Sequence, residues 1–304
     1  MSVPVISFDE GEAVLDWLGL TEALARGHDL PKAEIGDTFL YRGADTLLSR
    51  SAWIDGLGIA VKSATIFPGN RAQDKPAVNG GVSLYADGDG MLEAIVDFHL
   101  VTKWKTAGDS LLAARRLARP DSRAILIVGA GTVARSLREA YGAAFPDAAF
   151  AVWNRTAAGA EALADAFPDT RAVTDLRAAV AEADIVTCAT MSTEPILKGD
   201  WLKPGQHIDL IGAYRPDMRE ADDAVLQRGR VFVDSRDTTL GHIGEIEIPL
   251  TAGAIAADDI LADYYDGDAM RRGAEDEITV FKNGGGAHLD LMTARHILAA
   301  WSAR

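Results

Sequence analysis

Apolar residues in the first third of the chain recur at two periods. "EAVLDWLGLTEALARG" repeats them at helical spacing, while "GLGIAVKSATIF" and "GGVSLYAD" read as strands between Gly, Pro and Asn turns. "EAIVDFHLVT" reads as another strand and "TAGDSLLAARRLA" as a helix. "RPDS" at 119–122 then punctuates the chain, and the pattern changes. "RAILIVGAG" is a short apolar strand entering a glycine turn, and "TVARSLREAYGAAF" is the helix after it. "AAFAVWN", "ADIVTCAT", "QHIDLIGA" and "RVFVDS" read as further strands, with "AAGAEALADAF" as a second helix. Strands alternating with helices of this length predict an α/β domain of the Rossmann type, a doubly wound parallel sheet with helices on both faces. The mixed pieces before it predict a separate α+β domain. We place the boundary near residue 118, giving a dinucleotide-binding domain at 119–281. A substrate-binding and dimerisation domain then comprises 1–118 with 282–304, because "LDLMTARHILAAW" reads as a closing helix that returns to the first domain.

The chain has 304 residues, 48% of them hydrophobic and 25% charged, an ordinary globular composition. Its formal net charge of -15 argues against nucleic acid and anionic membrane surfaces, which repel an acidic protein. An anionic substrate then requires a local cluster of cations. The single cysteine, Cys188, excludes an intramolecular disulfide and fits a reducing compartment. "MSVPVISFDEGEAVLDW" lacks the basic and apolar regions of a secretion signal, and no apolar run approaches the roughly 18 residues that span a bilayer. A cytoplasmic protein is expected.

"GAGTVA", residues 129–134, fits the G-x-G-x-x-A form of the dinucleotide fingerprint. The pattern alone is weak, but here it follows an apolar strand and opens a helix, which is the context it needs. Gly129 permits the tight turn, Gly131 lets a pyrophosphate approach the backbone, and Ala134 lets helix and strand pack closely. The helix N-terminus offers N–H donors and partial positive charge to phosphate. An NAD site usually carries an acid near the end of the second strand, to bind the ribose hydroxyls. This chain has "WNRT" instead, where Arg155 and Thr156 suit a 2′-phosphate that a carboxylate would repel. NADP(H) is the expected cofactor, with NAD(H) the alternative.

Seven strings carry a resemblance: "GIAVKSATIFPGN" (58–70), "VTKWKTAGDS" (101–110), "GAGTVA", "WNRT", "ATMSTEPIL" (189–197), "IGAYRPDMREADD" (211–223) and "VFKNGGGAHLD" (280–290). In this order the chain resembles the ornithine cyclodeaminase/mu-crystallin family over most of its length. The resemblance implies a homodimer formed through the first domain's sheet, and an active site in a cleft facing the nicotinamide. With the fingerprint it assigns cofactor contacts to Gly129, Gly131, Thr132, Val133, Asn154, Arg155, Thr156, Thr190, Met191 and Ser192. The family's shared chemistry is hydride transfer at a carbon bearing nitrogen and a carboxylate.

Two positions bear on the substrate. Lys62 matches a family lysine at the substrate. Where the family commonly has an arginine on the substrate carboxylate, "KTAG" offers Lys105, a point charge without the bidentate fork. Lys105 is therefore the expected carboxylate anchor, with Lys62 as second anchor and proton donor, and Lys103 is expected to be solvated. Cyclodeaminases of the family carry an aspartate in the "IGA" string, and Tyr214 stands there instead. Cyclising ornithine needs proton transfer between two amines, so losing that acid favours a ketimine reductase. Tyr214 either offers a hydroxyl to the reaction or packs as an aromatic. The expected activity is NAD(P)H-dependent reduction of a small anionic cyclic imino acid, with pyrroline-2-carboxylate leading. Ornithine cyclodeaminase, or a nucleotide-binding protein without turnover, are the rivals.

The six histidines show no ligand spacing and no carboxylate pairing, so no metal is expected. "DSRDTTLGHIGEIEIP" (234–249) reads as a solvated loop and helix start. "GGGA" (284–287) is either a close approach to the nicotinamide or an ordinary turn. Arg42 and Arg50 could add positive charge near the substrate.

Overall fold

The computed structural model describes residues 3–304. The chain forms two compact units, one of residues up to Gly108 together with Gly286–Arg304, the other Asp109–Gly285. The sequence reading put these divisions near 118 and 281. The helix Phe98–Leu117 contains the first of them, so no loop or linker marks it.

The first unit holds a six-stranded sheet of β1 (Val5–Ile6), β2 (Glu34–Arg42), β3 (Asp45–Ile54), β4 (Gly58–Ile66), β5 (Val78–Tyr85) and β6 (Leu92–Asp97). Its order is β1-β6-β5-β4-β3-β2, antiparallel except for the β1–β6 pair. Burial alternates along β4: Ala60, Lys62 and Ala64 are buried, while Ile59, Val61, Ser63 and Thr65 are not. One face is therefore covered, as strand period dictates, and the helix Ala287–Ser302 packs across β2–β5. "EAIVDFHLVT" divides differently from the expectation. β6 stops at Asp97, whose carboxylate accepts the Leu100 N–H at 2.9 Å, and Phe98 begins the helix. "VTKWKTAGDS" is thus entirely helical.

The second unit is built on an eight-stranded sheet of β7 (Ala124–Val128), β8 (Ala149–Trp153), β9 (Thr170–Ala172), β10 (Ile185–Cys188), β11 (His207–Leu210), β12 (Arg230–Val233), β13 (Ile260–Ala262) and β14 (Thr279–Lys282). Every pair is parallel, in the order β13-β12-β14-β11-β10-β7-β8-β9. This is the doubly wound α/β architecture, with the chain reversing direction of growth between β7 and β10. The central strands are buried throughout, as strands covered on both faces must be. The buried Asp209 on β11 is met by three donors. Asp209 accepts from Thr187 Oγ1 at 2.7 Å, Tyr141 OH at 2.9 Å and Ser110 Oγ at 3.1 Å. Burial outweighs those bonds and pushes its carboxyl up to about 6.

Among the described residues no helix is long and apolar enough to cross a membrane.

Candidate active site

The second unit carries a crevice at the carboxyl ends of β7, β8 and β10, outside the point where strand order reverses, the place where open parallel sheets bind ligands. It is lined by Gly129, Ala130, Gly131, Trp153, Asn154, Arg155, Thr156, Ala189, Thr190, Met191, Ser192 and Ile196. Gly129 has a φ of 112°, and a Cβ there would meet the Ala189 carbonyl oxygen at 2.6 Å. Only glycine fits both demands. A Cβ on Gly131, in contrast, would stand in open space. Gly131 is the N-cap of the helix Thr132–Ala144 and supplies no side-chain cap, so the first-turn N–H groups lack a capping side chain among the described residues. Ala134 is fully buried. These features fit a dinucleotide pyrophosphate.

At the end of β8, Asn154 Nδ2 donates to Thr156 Oγ1 at 2.9 Å and to the Thr156 carbonyl at 3.1 Å. The turn is thereby held while the Arg155 side chain stands exposed. Of the residues assigned to the cofactor, Thr132 and Val133 lie on the first helical turn, outside the crevice lining; the others line it. Ala130, Trp153, Ala189 and Ile196 line it too; all four lie inside the quoted strings "GAGTVA", "WNRT" and "ATMSTEPIL" but were not assigned a contact.

The second cluster lies on the covered face of the first unit's sheet. Lys62 on β4 and Arg50 on β3 are register partners, and Arg50 in turn opposes Asp37 on β2. Arg50 is held by Asp37 at 2.7 Å. Lys62 Nζ donates to Asp290 Oδ1 at 2.8 Å and to Thr102 Oγ1 at 2.9 Å, and lies 4.7 Å from the centre of the Phe98 ring. Lys105, one turn beyond Thr102, is also buried, and has no hydrogen bond or ion pair among the described residues. Burial lowers the Lys62 pKa; Asp290 opposes this, while Lys105 and Arg50 add to it. Burial alone would raise the Asp290 carboxyl, but Lys62, Lys105 and Arg50 outweigh it and hold it below the usual range. His288 is kept neutral by burial, with His28, Lys105 and Arg50 acting the same way.

Asp290 was missed. Its signal was a lone acid among apolar residues in "AHLDLM", on a helix expected to pack inward. Arg50 joins the cluster, whereas Arg42 pairs with Asp45 at the surface. Lys103 is not simply solvated: its Nζ donates to Glu12 at 2.5 Å, beside the stacked Trp17 and Trp104 rings. Trp104 Nε1 donates to the same carboxylate, so Glu12 gathers both side chains.

Tyr214, on the segment after β11, is 57% exposed, with the Arg215 guanidinium 5.7 Å from its ring centre. The solvated reading of 234–249 fails because Asp234, Ser235 and Glu245 are buried. Glu245 accepts the Glu220 and Ala221 N–H groups at 2.6 and 3.0 Å. In "GGGA" the Gly284 and Gly285 amides donate to Asp234 Oδ2 at 3.1 and 2.5 Å, which makes that stretch a tied turn.

Residues 54–304 match the model of the ornithine cyclodeaminase/mu-crystallin family. The chain belongs to that family. It is 53% identical over 300 residues to a Delta(1)-pyrroline-2-carboxylate reductase of Paracoccus denitrificans (strain Pd 1222), covering 96% of this chain and 95% of the relative. It is 35% identical to the ketimine reductase mu-crystallin of Mus musculus, over 81% of this chain and 77% of the relative. In three dimensions it is similar to the Thermococcus litoralis Delta(1)-pyrroline-2-carboxylate reductase in complex with NADH and L-proline. That match has a TM-score of 0.89 and 26% identity, over 98% of this chain and 97% of the other.

Proposed function

We propose that this family member reduces pyrroline-2-carboxylate, or a close cyclic imino acid, to the cyclic amino acid, with NADPH as its preferred hydride donor. The observation that carries the reading is the buried Lys62–Lys105 cluster, in which Lys62 is ion-paired to Asp290 and Lys105 has no ion-pair partner among the described residues. A buried cation without a counter-ion is costly unless a ligand supplies the opposite charge. A substrate carboxylate does so. The kind of reductase found in the Paracoccus and Thermococcus relatives agrees with it.

A nicotinamide nucleotide held by the crevice residues would supply the hydride for the imine carbon. The protein's part is orientation and proton supply. Lys105 anchors the carboxylate, and Lys62 shares that anchor while Asp290 and Thr102 fix its ammonium. Lys62 gives a proton to the ring nitrogen as the carbon–nitrogen double bond becomes single, and is reprotonated by water. A lysine whose pKa is lowered by burial suits this step. The NADPH preference is supported by Asn154 where an NAD site has its acid, and by the exposed Arg155 beside it.

The uncovered face of the first unit's sheet, with Leu40 on β2, Leu47 and Trp53 on β3 and Ile59 and Val61 on β4, is the surface we assign to a homodimer. Leu40 is 68% exposed, and β2 is exposed along its whole length. Such a surface marks an association site.

The test is to incubate purified protein with NADPH and pyrroline-2-carboxylate, following NADPH loss and proline formation, beside a second tube of ornithine and NAD assayed for ammonia. NADPH consumed with proline formed is the expected result. Ammonia and proline from ornithine without NADPH loss would overturn the reading in favour of cyclodeamination.

A further inference from the structure

Glu220 is fully buried between β11 and the helix Asp223–Arg228, and it binds two separate loops at once. Its Oε1 accepts the Thr190 N–H at 2.6 Å and the Thr190 hydroxyl at 2.8 Å; its Oε2 accepts the Gly212 N–H at 2.6 Å. Its backbone carbonyl accepts the Ile196 and Leu197 N–H groups at 2.8 and 2.9 Å. The segment 189–197, which lines the crevice after β10, is therefore tied to this one residue near both of its ends. Arg219 adds a backbone bond to the Ser192 carbonyl at 2.9 Å.

The loops meet without slack. A Cβ on Gly212 would fall 1.8 Å from the Thr190 carbonyl oxygen, so the segment after β11 seats directly against the Thr190 backbone. A Cβ on Gly129 would strike Ala189 in the same way. Three strand ends thus interlock backbone to backbone, and Glu220 is the side chain that bonds two of them. Glu220 is itself fixed, because the buried Glu245 accepts its N–H and that of Ala221. Lys282, fully buried and donating to the Leu210 carbonyl at 2.9 Å, supplies positive charge to both acids. Two acids and one lysine held away from water are a costly arrangement for a core to keep. An apolar residue would fill the space but would leave the Thr190 and Gly212 amides without acceptors.

We propose that Glu220 is a positioning residue for the nicotinamide nucleotide, its carboxylate setting the shape of the 189–197 wall of the crevice and Glu245 holding it in place. This rests on the reading of that crevice as the cofactor site. It adds that the wall is held from behind by a buried acid that does not line the crevice.

The test compares the full-length protein with Glu220→Gln and Thr190→Val. Glu220→Gln keeps shape and volume but turns one acceptor into a donor facing N–H groups. NADPH and NADH affinities are measured by fluorescence titration, and amide hydrogen exchange by mass spectrometry. In Glu220→Gln we expect nucleotide affinity to fall about tenfold, the size set by an unsatisfied buried donor. Exchange should rise over 189–197 and at Gly212, while β7 and β8 stay protected. Thr190→Val, which deletes the hydroxyl bond to Glu220 on a residue that itself lines the crevice, should raise exchange at Gly212 and over 196–197 by a smaller factor, about threefold. That exchange, not the affinity, carries the test if the glutamine variant does not fold. Wild-type affinity and exchange in the folded variants overturn the proposal alone. A wild type that binds neither nucleotide overturns the crevice reading and the proposal with it.

Discussion

Lys62 and Asp290 form a buried ion pair at 2.8 Å although 228 residues of chain separate them. The lysine comes from the middle of a strand and the acid from the first turns of the closing helix. Neither is accessible enough for water to stand in for its partner. The pair fixes where the ammonium points and leaves Lys105 without an ion pair among the described residues.

Replacing Lys62 with Met removes the proposed proton donor and part of the carboxylate anchor. Turnover of pyrroline-2-carboxylate should fall by about 10²–10⁴, the range for a positioned acid. NADPH binding should be unchanged. Steady-state assay and a nucleotide titration on one preparation check both, and normal turnover would sink the role of Lys62.

Replacing Asp290 with Asn leaves the Lys62 ammonium buried without a counter-charge, at a cost of up to about 3 kcal/mol of stability. The Asp290 carboxyl is held low in the fold, so its stabilising effect is present above the unfolded carboxylate range and is lost as pH falls through the folded value. Urea unfolding of the single variants and of Lys62→Met with Asp290→Asn gives the coupling. The double variant should recover part of the loss, because it leaves neither member of the pair as a buried charge without its partner. Strictly additive losses would mean that the pair contributes nothing as a pair.

Arg155 should discriminate between nucleotides. Arg155→Ala removes a cation suited to a 2′-phosphate, so the KM for NADPH should rise about tenfold while that for NADH moves little. Equal changes for both would place Arg155 outside nucleotide selection.

The bare sheet face gives a test of assembly. Leu40 on β2 and Leu47 on β3 are cross-strand partners on that face, 68% and 39% exposed. Leu40→Asp with Leu47→Asp should convert a dimer to a monomer in light scattering without loss of folded signal. A dimer that survives both charges would move the contact elsewhere.

His207 is fully buried on β11, its Nδ1 3.0 Å from Thr279 Oγ1, and burial, with Arg272 adding to it, lowers its pKa to about 3. The unfolded chain takes up a proton near the ordinary histidine value of about 6.5. Stability from the neutral ring is therefore complete above that value and declines as pH falls towards 3. At pH 5 the deficit is about 2 kcal/mol. Wild type should lose that much more stability than His207→Gln between pH 7.5 and pH 5. Parallel pH profiles would mean that the ring titrates in the folded protein.

The β7 strand and its glycine turn were readable because each rests on a local rule. An interior parallel strand is a continuous apolar run, and the tight turn after it needs glycine at Gly129, where φ is positive. β2 and β3 were not recognised. "EIGDTFLYR" is exposed throughout, so no buried face imposes an alternation on it. The start of the helix at Phe98 was misplaced for a related reason: "AIVDFHLV" is apolar at either period, and the Asp97 bond to Leu100 decides where the strand ends.

The sequence by itself determined the parallel α/β unit, the dinucleotide turn, the substitution of Asn154 for an acid and the lysines at 62 and 105. All of these lie in runs of a few residues, where period and residue type carry the physics. Only the tertiary structure decided that Asp290 pairs with Lys62, that Glu12 takes Lys103, and that Glu220 and Glu245 are buried under the crevice wall instead of facing water. Each of those turns on which distant backbone reaches a buried charge. Burial makes an unpaired charge expensive, so the fold, not the local string, selects the partner.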